Sequence, residues 1–167
     1  MIKRYILTIC FILKTSILYA EASIYYVDID YILNNSKPGV KIISTLDKSK
    51  KKNDSELDKL KKNIKSKNDE ITKNKNLISE KEIKTMVEDL RNQIANFENK
   101  KKEYSNNLKI KQQKMFNELL VQVNELIKDY MEKNSIEIIL NKKTILVAKS
   151  NLNLTNEILK IVNKELN

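Results

Sequence analysis

The only proline and the only glycine of this 167-residue chain are adjacent, at Pro38 and Gly39. Beyond them no residue that breaks a helix occurs, and apolar residues recur at intervals of three and four. That spacing places side chains on one face of a helix and, when sustained over several heptads, forms the seam of a coiled coil. The sequence therefore predicts long helices that pair with one another, with shorter elements confined to the two ends.

The periodicity forms two seams. The first consists of Ile43, Leu46, Lys50, Asn53, Leu57, Leu60, Ile64, Lys67, Ile71, Asn74 and Ile78. The second consists of Val87, Leu90, Ile94, Phe97, Lys101, Tyr104 and Leu108, followed with a phase shift by Met115, Leu119, Val123, Leu126 and Tyr130. Lysine and asparagine at seam positions weaken the pairing, so we expect a bendable arm. The second helix should continue through the phase shift, which relaxes the supercoil.

A helix start is predicted between the two seams. Ser79 and Glu82 have the S-x-x-E spacing of a capping box, in which the two side chains satisfy free backbone amides. The polar stretch 73–76 precedes them, so we place the tip of an antiparallel hairpin near 73–80. The two paired helices would reach roughly 50 Å at 1.5 Å per residue. One uninterrupted helix is the alternative, because no glycine or proline marks the turn.

The two ends of the chain read as short strands and one helix. Residues 24–28 and 136–140 are β-branched and aromatic runs typical of strands, and 144–148 is predicted as a third. A small sheet built from both termini would close the base of the hairpin, and it buries too little to be stable without partner chains. Residues 157–166 are predicted as a final helix capped by Thr155 or Asn153. Its apolar face contains Ile158, Leu159, Val162 and Leu166.

Residues 1–22 have the layout of a secretory signal. Lys3 and Arg4 precede the apolar run 6–13, and Ala20 and Ala22 offer a cleavage site. The mature chain would begin near Ser23, with cleavage after Ala20 as the second choice and an uncleaved anchor helix as the alternative. The predicted organisation is then a signal peptide at 1–22, a strand and short helix at 23–39, the arm at 40–134, and closing strands with the C-terminal helix at 135–167.

Residue types exclude most enzymatic chemistry. The chain has no histidine, and its one cysteine, Cys10, lies inside the predicted signal. Bulky Ile9 before Cys10 disfavours a lipoprotein box. Without imidazole or thiol, the mature chain lacks the usual nucleophile pairs and soft metal ligands. We therefore expect no enzyme, no catalytic or metal-binding residues and no cofactor.

The order of short strand, long hairpin, paired strands and terminal helix resembles the Skp (OmpH-like) family of periplasmic chaperones along essentially the whole mature chain. The similar stretches are 25–33 with 36–39 at the entry, 77–80 at the arm turn, and 136–140, 145–147 and 153–158 at the close. Asn153 replaces the acidic residue that is usual at the start of the terminal helix.

The resemblance implies a mainly α protein whose long coiled-coil hairpin projects from a small body of strands. It also implies a homotrimer in the periplasm whose arms enclose a cavity for unfolded outer-membrane proteins, without ATP or metal. Seven arm residues could offer adaptable apolar contact, although we expect most of them in the seam. They are Leu57, Ile64, Met86, Ile94, Phe97, Tyr104 and Met115.

Positive charge concentrates in the first arm helix. The chain carries 32 Lys and Arg against 22 Asp and Glu, and residues 48–76 contain eleven lysines against five carboxylates. We expect a basic arm tip that attracts acidic clients, an anionic membrane surface or lipopolysaccharide. Its residues would be Lys65, Lys67, Lys73, Lys75, Lys81 and Lys84. A solvated helix face without a partner is the alternative.

Two other classes of protein share these patterns. A structural coiled-coil protein could act as a spacer of the cell envelope without binding any client. A basic nucleic-acid-binding protein fits the charge, but the predicted export argues against it. The lysines are not interleaved with stacking aromatics, so only nonspecific, salt-sensitive binding to nucleic acid is expected.

Overall fold

A computed structural model describes residues 23–166. The predicted signal peptide lies outside the described residues. In chain order the elements are strand β1 (Ile24–Val27), helix α1 (Ile29–Asn35), helix α2 (Lys37–Asn74), helix α3 (Glu80–Lys133), strand β2 (Ile138–Asn141) and helix α4 (Thr155–Glu165), with 3-10 turns at Lys142–Thr144 and Ser150–Leu152. The mainly helical class with a small sheet is confirmed.

Helices α2 and α3 form the predicted antiparallel hairpin. Helix α2 ends at Asn74 and α3 begins at Glu80. The amide of Ser79 donates to the carboxylate of Glu82 at 3.0 Å, and the amide of Glu82 donates to the hydroxyl of Ser79 at 3.4 Å. The capping box is therefore confirmed, and the alternative of one uninterrupted helix is wrong. At 1.5 Å per residue, the 38 residues of α2 extend about 57 Å.

The first seam is rotated at its base relative to the prediction. From Asn53 to the tip, the predicted positions face α3 and are half-buried. Near the body, however, Ile43 and Lys50 are exposed, whereas Ile42 and Ser49 point inward. Adjacent residues such as Ile42 and Ile43 both satisfy a spacing of three or four, so periodicity could not choose between them. Packing against the body selects Ile42, and the same rotation places small Ser49 inward and leaves the ammonium of Lys50 in water.

The second seam shows the same kind of correction in the outer half of α3. Ile94 and Lys101 were predicted to face the partner helix, and both are exposed. Gln93 and Lys100 are half-buried in their place. Leu90, Phe97 and Tyr104 are half-buried as predicted, so the helix keeps its phase and only the positions between them differ by one residue. Either neighbour satisfies a spacing of three or four, so periodicity could not choose between them.

Strands from the two ends of the chain pair in a small sheet, as predicted, and the structure shows that they run parallel. The register runs from Ile24 opposite Ile138 to Val27 opposite Asn141. On its other edge, β1 forms an isolated bridge between Tyr26 and Asn153, and the amide of Leu154 donates to the carbonyl of Tyr26 at 2.9 Å. Strand β1 thus holds both β2 and the lead into α4.

The predicted third strand at 144–148 is wrong. Lys142–Thr144 form a 3-10 turn, and the residues that follow are not paired. Leu146 is 99% exposed and Val147 is 86% exposed. Composition gives this segment the propensity for a strand, but β1 already has a neighbour on each edge. The edge of β2 away from β1 is free among residues 23–166, but the segment leaves the 3-10 turn, which is held against the start of α1, without pairing with that edge.

Charged contacts fix this turn against the start of α1. The ammonium of Lys142 lies 3.1 Å from the carboxylate of Asp28, and Lys143 pairs with Asp30. Asp28 also caps α1 by accepting from the amide of Tyr31 at 3.0 Å. That backbone hydrogen bond, with Lys142 as a further cause, lowers the pKa of Asp28. The turn after β2 therefore has a defined place on the body.

The C-terminal helix begins at Thr155, two residues earlier than predicted. The side-chain oxygen of Asn153 accepts from the amide of Thr155 at 3.0 Å and from its hydroxyl at 2.6 Å. The hydroxyl of Thr155 in turn accepts from the amide of Asp28 at 2.9 Å. Asn153 thus provides the side-chain acceptor for the first backbone amide of the helix. The predicted apolar face is confirmed at its centre, where Ile158 and Val162 are fully buried.

The core of the described protein lies where the arm meets the body. Its buried residues come from every helix and from β1: Val27, Ile32, Ile42, Leu46, Leu119, Val123, Ile127, Leu154, Ile158 and Val162. The sharp bend between α1 and α2 depends on Gly39, because an added Cβ there would lie 1.7 Å from the carbonyl oxygen of Leu33. This core anchors the base of the hairpin and leaves most of the arm outside it.

Candidate functional site

Polar contacts join the two helices of the arm along its length. The hydroxyl of Tyr104 donates to the carboxylate of Glu56, and the ammonium of Lys67 pairs with Asp89. Nearer the body, the ammonium of Lys111 donates to the hydroxyl of Ser49 at 2.9 Å. Such directional contacts fix which residues of α2 and α3 lie opposite each other, while contributing less apolar burial than leucine pairs would.

Two of these contacts shift the acidity of the groups they join. The hydrogen bond from Tyr104 lowers the pKa of Glu56 and raises the pKa of Tyr104 itself. The hydrogen bond from Lys67 lowers the pKa of Asp89, to which Gln93 also donates at 3.1 Å. Both carboxylates therefore stay ionised at a lower pH than an unpaired carboxylate would, and the arm keeps these contacts at neutral pH.

The lysines predicted to form a basic tip occupy different environments. Lys67 is half-buried and paired with Asp89 across the hairpin. The other five are exposed around the turn: Lys65, Lys73, Lys75, Lys81 and Lys84. Four carboxylates between residues 63 and 84 oppose the six lysines and reduce the net charge to +2.

A larger concentration of lysines lies halfway along the arm, and only the part of it in α2 was noted from the sequence. Contacts from Glu56 to Tyr104 and from Ser49 to Lys111 place residues 48–62 opposite residues 100–114. Together the two segments contain thirteen lysines and four carboxylates. The run Lys100–Lys102 could have indicated it, but only the hairpin register brings the two segments together.

Apolar side chains on the arm are shared between the seam and solvent. Of the seven residues predicted to offer apolar contact, only Ile94 is exposed, with 43% of its surface open to solvent, and the others are half-buried. Ile110, which was not predicted, is 61% exposed on α3. A half-open seam with isolated exposed isoleucines provides apolar contact without an enclosed pocket.

The body carries its own uncovered apolar surface. Ile138 and Leu140 of β2 are about two-fifths exposed, and Leu146 and Val147 project fully into solvent. The edge of β2 away from β1 has no strand beside it among residues 23–166. An unpaired edge next to exposed apolar residues is a site where another chain can add a strand.

Residues 23–166 contain neither a cluster of metal ligands nor a membrane-spanning helix. In that range no three or more acidic, histidine or cysteine residues are clustered in a way that could bind a metal ion. No helix of the same range is sufficiently long and apolar to span a bilayer. The arm and the exposed edge of the body are therefore the two candidate functional surfaces.

Comparison with known proteins gives the same picture. The family model described as "Outer membrane protein (OmpH-like)" matches residues 23–162. The chain belongs to the OmpH-like family. The solved structure of a candidate outer membrane chaperone (OmpH-like) from Caulobacter crescentus has a TM-score of 0.82 to this protein at 12% sequence identity, covering 88% of this chain and 87% of that one. At that identity the likeness shows the shared fold. No curated protein matches this chain.

The OmpH-like assignment confirms the resemblance found from the sequence and spans both candidate surfaces. The matched range includes β1, the whole arm and most of α4. Membership of this family supports a role among chaperones.

Proposed function

We propose that this OmpH-like protein is a non-enzymatic, ATP-independent holdase of the periplasm that binds unfolded outer-membrane proteins between its arms and prevents their aggregation. The observation that carries the proposal is the arm itself. In a chain of this family, a hairpin about 57 Å long leaves the body with basic and apolar side chains on its surface. Such a surface suits a flexible client better than a small ligand.

The loose packing of the arm supports adaptable binding. Its seam contains polar residues such as Asn53 and Gln93, and the thioethers of Met86 and Met115 are half-buried. Methionine side chains adjust to irregular apolar partners, and loosely packed surfaces bind several partners without one fixed geometry. A holdase needs both properties, because unfolded clients present no constant shape.

A homotrimer is part of the proposal, and the body supports it. Fully exposed Leu146 and Val147 follow β2 in the chain, and the edge of β2 away from β1 is unpaired among the described residues. A two-stranded sheet is marginally stable alone, so strands from identical copies would complete it. Three copies joined at this edge would place three arms around one cavity.

Export and surface attraction complete the proposed function. Residues 1–22 would act as a cleaved signal, consistent with the periplasmic location that family membership favours. The exposed lysines of the tip would hold the protein near an anionic membrane surface or lipopolysaccharide. Binding to these partners should weaken as salt rises, since such attraction is screened over about 10 Å at moderate ionic strength.

A refolding assay with a mass measurement tests this function. An outer-membrane β-barrel protein is diluted from urea with and without the chaperone, turbidity is followed, and the mass of the chaperone is measured by light scattering. We expect a trimer that keeps the barrel protein soluble without ATP. The double variant Leu146→Asp and Val147→Asp should be monomeric and protect poorly. An inert rod would favour an envelope spacer, and binding to nucleic acid alone would favour the basic nucleic-acid-binding class.

A further inference from the structure

The middle of the arm is the most positively charged part of the described protein. We define the mid-arm belt as residues 48–62 of α2 and 100–114 of α3, which lie opposite each other in the hairpin. Thirteen lysines against four carboxylates give the belt a net charge of +9, whereas the tip between residues 63 and 84 carries +2. The belt extends about 22 Å along the arm axis.

The charges of the belt are available to a partner. Twelve of the thirteen lysines are exposed, and Lys100 is half-buried. Within the described part of the chain, the ion pairs that lysines form lie at the tip, at the base of α3 and in the body, and none involves a lysine of the belt. The carboxylate of Glu56 accepts from Tyr104 and is attracted to nearby Lys52, Lys59 and Lys100, but it forms an ion pair with none of them.

Apolar groups are interleaved with these lysines. Ile110 stands 61% exposed between Lys109 and Lys111. At the end of the belt nearer the body, a shallow groove on the hairpin is lined by residues that include Ile43, Lys50, Leu108 and Phe116. A partner on this surface therefore meets ammonium groups and apolar groups within a few residues of each other.

We propose that the mid-arm belt is the binding surface for acidic stretches of unfolded polypeptide, with its apolar groups contacting the neighbouring apolar side chains of the same stretch. The proposal rests on the proposed holdase function and names the client chemistry that the arm prefers. At about 3.3 Å per residue, an extended segment of roughly seven residues spans the belt. Several carboxylates of one segment can thus be neutralised together.

The side-chain chemistry favours polypeptide over nucleic acid. Single-stranded nucleic acids are bound by aromatic rings on which bases stack, and arginine provides the forked contacts to phosphate. The belt has no arginine, and its one aromatic residue, Tyr104, is half-buried and bonded to Glu56. A phosphate backbone has no apolar group that could pack on exposed Ile110, whereas an unfolded protein has apolar side chains that could.

The belt also coincides with the least apolar part of the seam. Ser49, Asn53 and Glu56 face α3 over this length, and the lysines of the two helices repel each other. An acidic segment bound along the belt would reduce this repulsion and stabilise the folded arm, since any ligand of the native state raises its stability. Binding should therefore raise the thermal midpoint of the arm.

The test compares two variants with the same change in charge. The belt variant replaces Lys51, Lys62, Lys102 and Lys109 by Gln, at exposed positions that face away from the seam. The matched tip variant replaces Lys73, Lys75, Lys81 and Lys84 by Gln. The probes are a fluorescein-labelled peptide rich in Glu and Leu, the same peptide with Gln for every Glu, and a single-stranded oligonucleotide of equal charge. Circular dichroism verifies that both variants keep their helical content.

In the belt variant, the Kd for the acidic peptide should rise by about tenfold or more. In the tip variant, this Kd should rise by less than about twofold. The acidic peptide should also bind the unchanged protein more tightly than its Gln counterpart and raise the thermal midpoint. The proposal is overturned if both variants lose affinity equally, if the Gln peptide binds as well, or if the oligonucleotide binds more tightly than the acidic peptide.

A second measurement separates this proposal from the holdase function. Both variants and the unchanged protein are assayed for suppression of aggregation with an acidic and a near-neutral β-barrel client. If the unchanged protein protects neither client, the holdase function fails. If it protects both and the belt variant protects the acidic client equally well, the holdase function stands and the belt proposal fails.

Discussion

Replacing Gly39 by alanine is the sharpest test of how the body is built. In an ordinary exposed helix, glycine to alanine stabilises the folded state by about 1 kcal/mol, because alanine has the higher helix propensity. Gly39 lies in the first turn of α2, so the sequence alone would predict a gain. In the structure, however, the new Cβ would lie 1.7 Å from the carbonyl oxygen and 2.8 Å from the carbonyl carbon of Leu33.

The expected loss in the free energy of unfolding follows from the atoms that the new Cβ would displace. Those atoms belong to the backbone of α1, which packs on the core through fully buried Ile32, so no flexible side chain can yield. Overpacking a tight site costs about 1–3 kcal/mol and occasionally more. The shift also disturbs the helix cap in which the hydroxyl of buried Ser36 accepts from the amide of Gly39 at 3.2 Å, a contact of a kind worth about 1 kcal/mol. Because the propensity gain and the loss of the cap are of similar size and opposite sign, Gly39→Ala should destabilise by about 1–3 kcal/mol.

Urea unfolding followed by circular dichroism at a fixed protein concentration measures this change. The concentration must be held constant because association stabilises the folded state. The matched control is Ser44→Ala, an exposed position in the same helix, for which a change within about 0.5 kcal/mol is expected. If Gly39→Ala unfolds at the same or a higher urea concentration than the unchanged protein, the close approach of α1 and α2 is not as described.

Three further outcomes are expected. Val123→Ala should lower the free energy of unfolding by about 2 kcal/mol because Val123 is fully buried, whereas Val121→Ala, at 62% exposure, should change it by less than about 0.5 kcal/mol in the same urea experiment. Because Tyr104 lowers the pKa of Glu56, the folded arm gains stability above the usual glutamate pKa of about 4.3 and loses that stability as the pH falls. Tyr104→Phe should therefore lower the thermal midpoint at neutral pH and make the midpoint depend less on pH in the acidic range. Ser79→Ala should destabilise the start of α3 by about 1 kcal/mol, seen as faster hydrogen exchange of the Ile83 amide, with no such change expected at Val123.

Local signals in the sequence predicted several elements directly. The S-x-x-E spacing at Ser79 and Glu82 located the start of α3, because a capping box needs only neighbouring residues. The β-branched and aromatic runs at the two ends predicted β1 and β2, because such residues are enriched in strands. The apolar spacing of Ile158 and Val162 predicted the buried face of α4.

Other features depend on tertiary packing and could not be read from local patterns. Ile42 and Ile43 fit a heptad equally well, and only contact with the body decides that Ile42 is buried. Ile145, Leu146 and Val147 have strand propensity, but the turn before them is held against the start of α1 and they pair with no strand of the described chain. The mid-arm belt depends on the register of the hairpin, which polar contacts such as Tyr104 with Glu56 fix. For that reason the sequence pointed to the tip, where lysines flank a predicted turn.

Photo-crosslinking tests the central claim that clients are held by the arms. A photoreactive residue is placed at Ile94 or Ile110 on the arm, or at exposed Asn156 on the body as the control, and each protein is irradiated with an unfolded outer-membrane β-barrel protein. We predict strong adducts from both arm positions and little from Asn156. Equal labelling from all three positions, or labelling from the body alone, would contradict it.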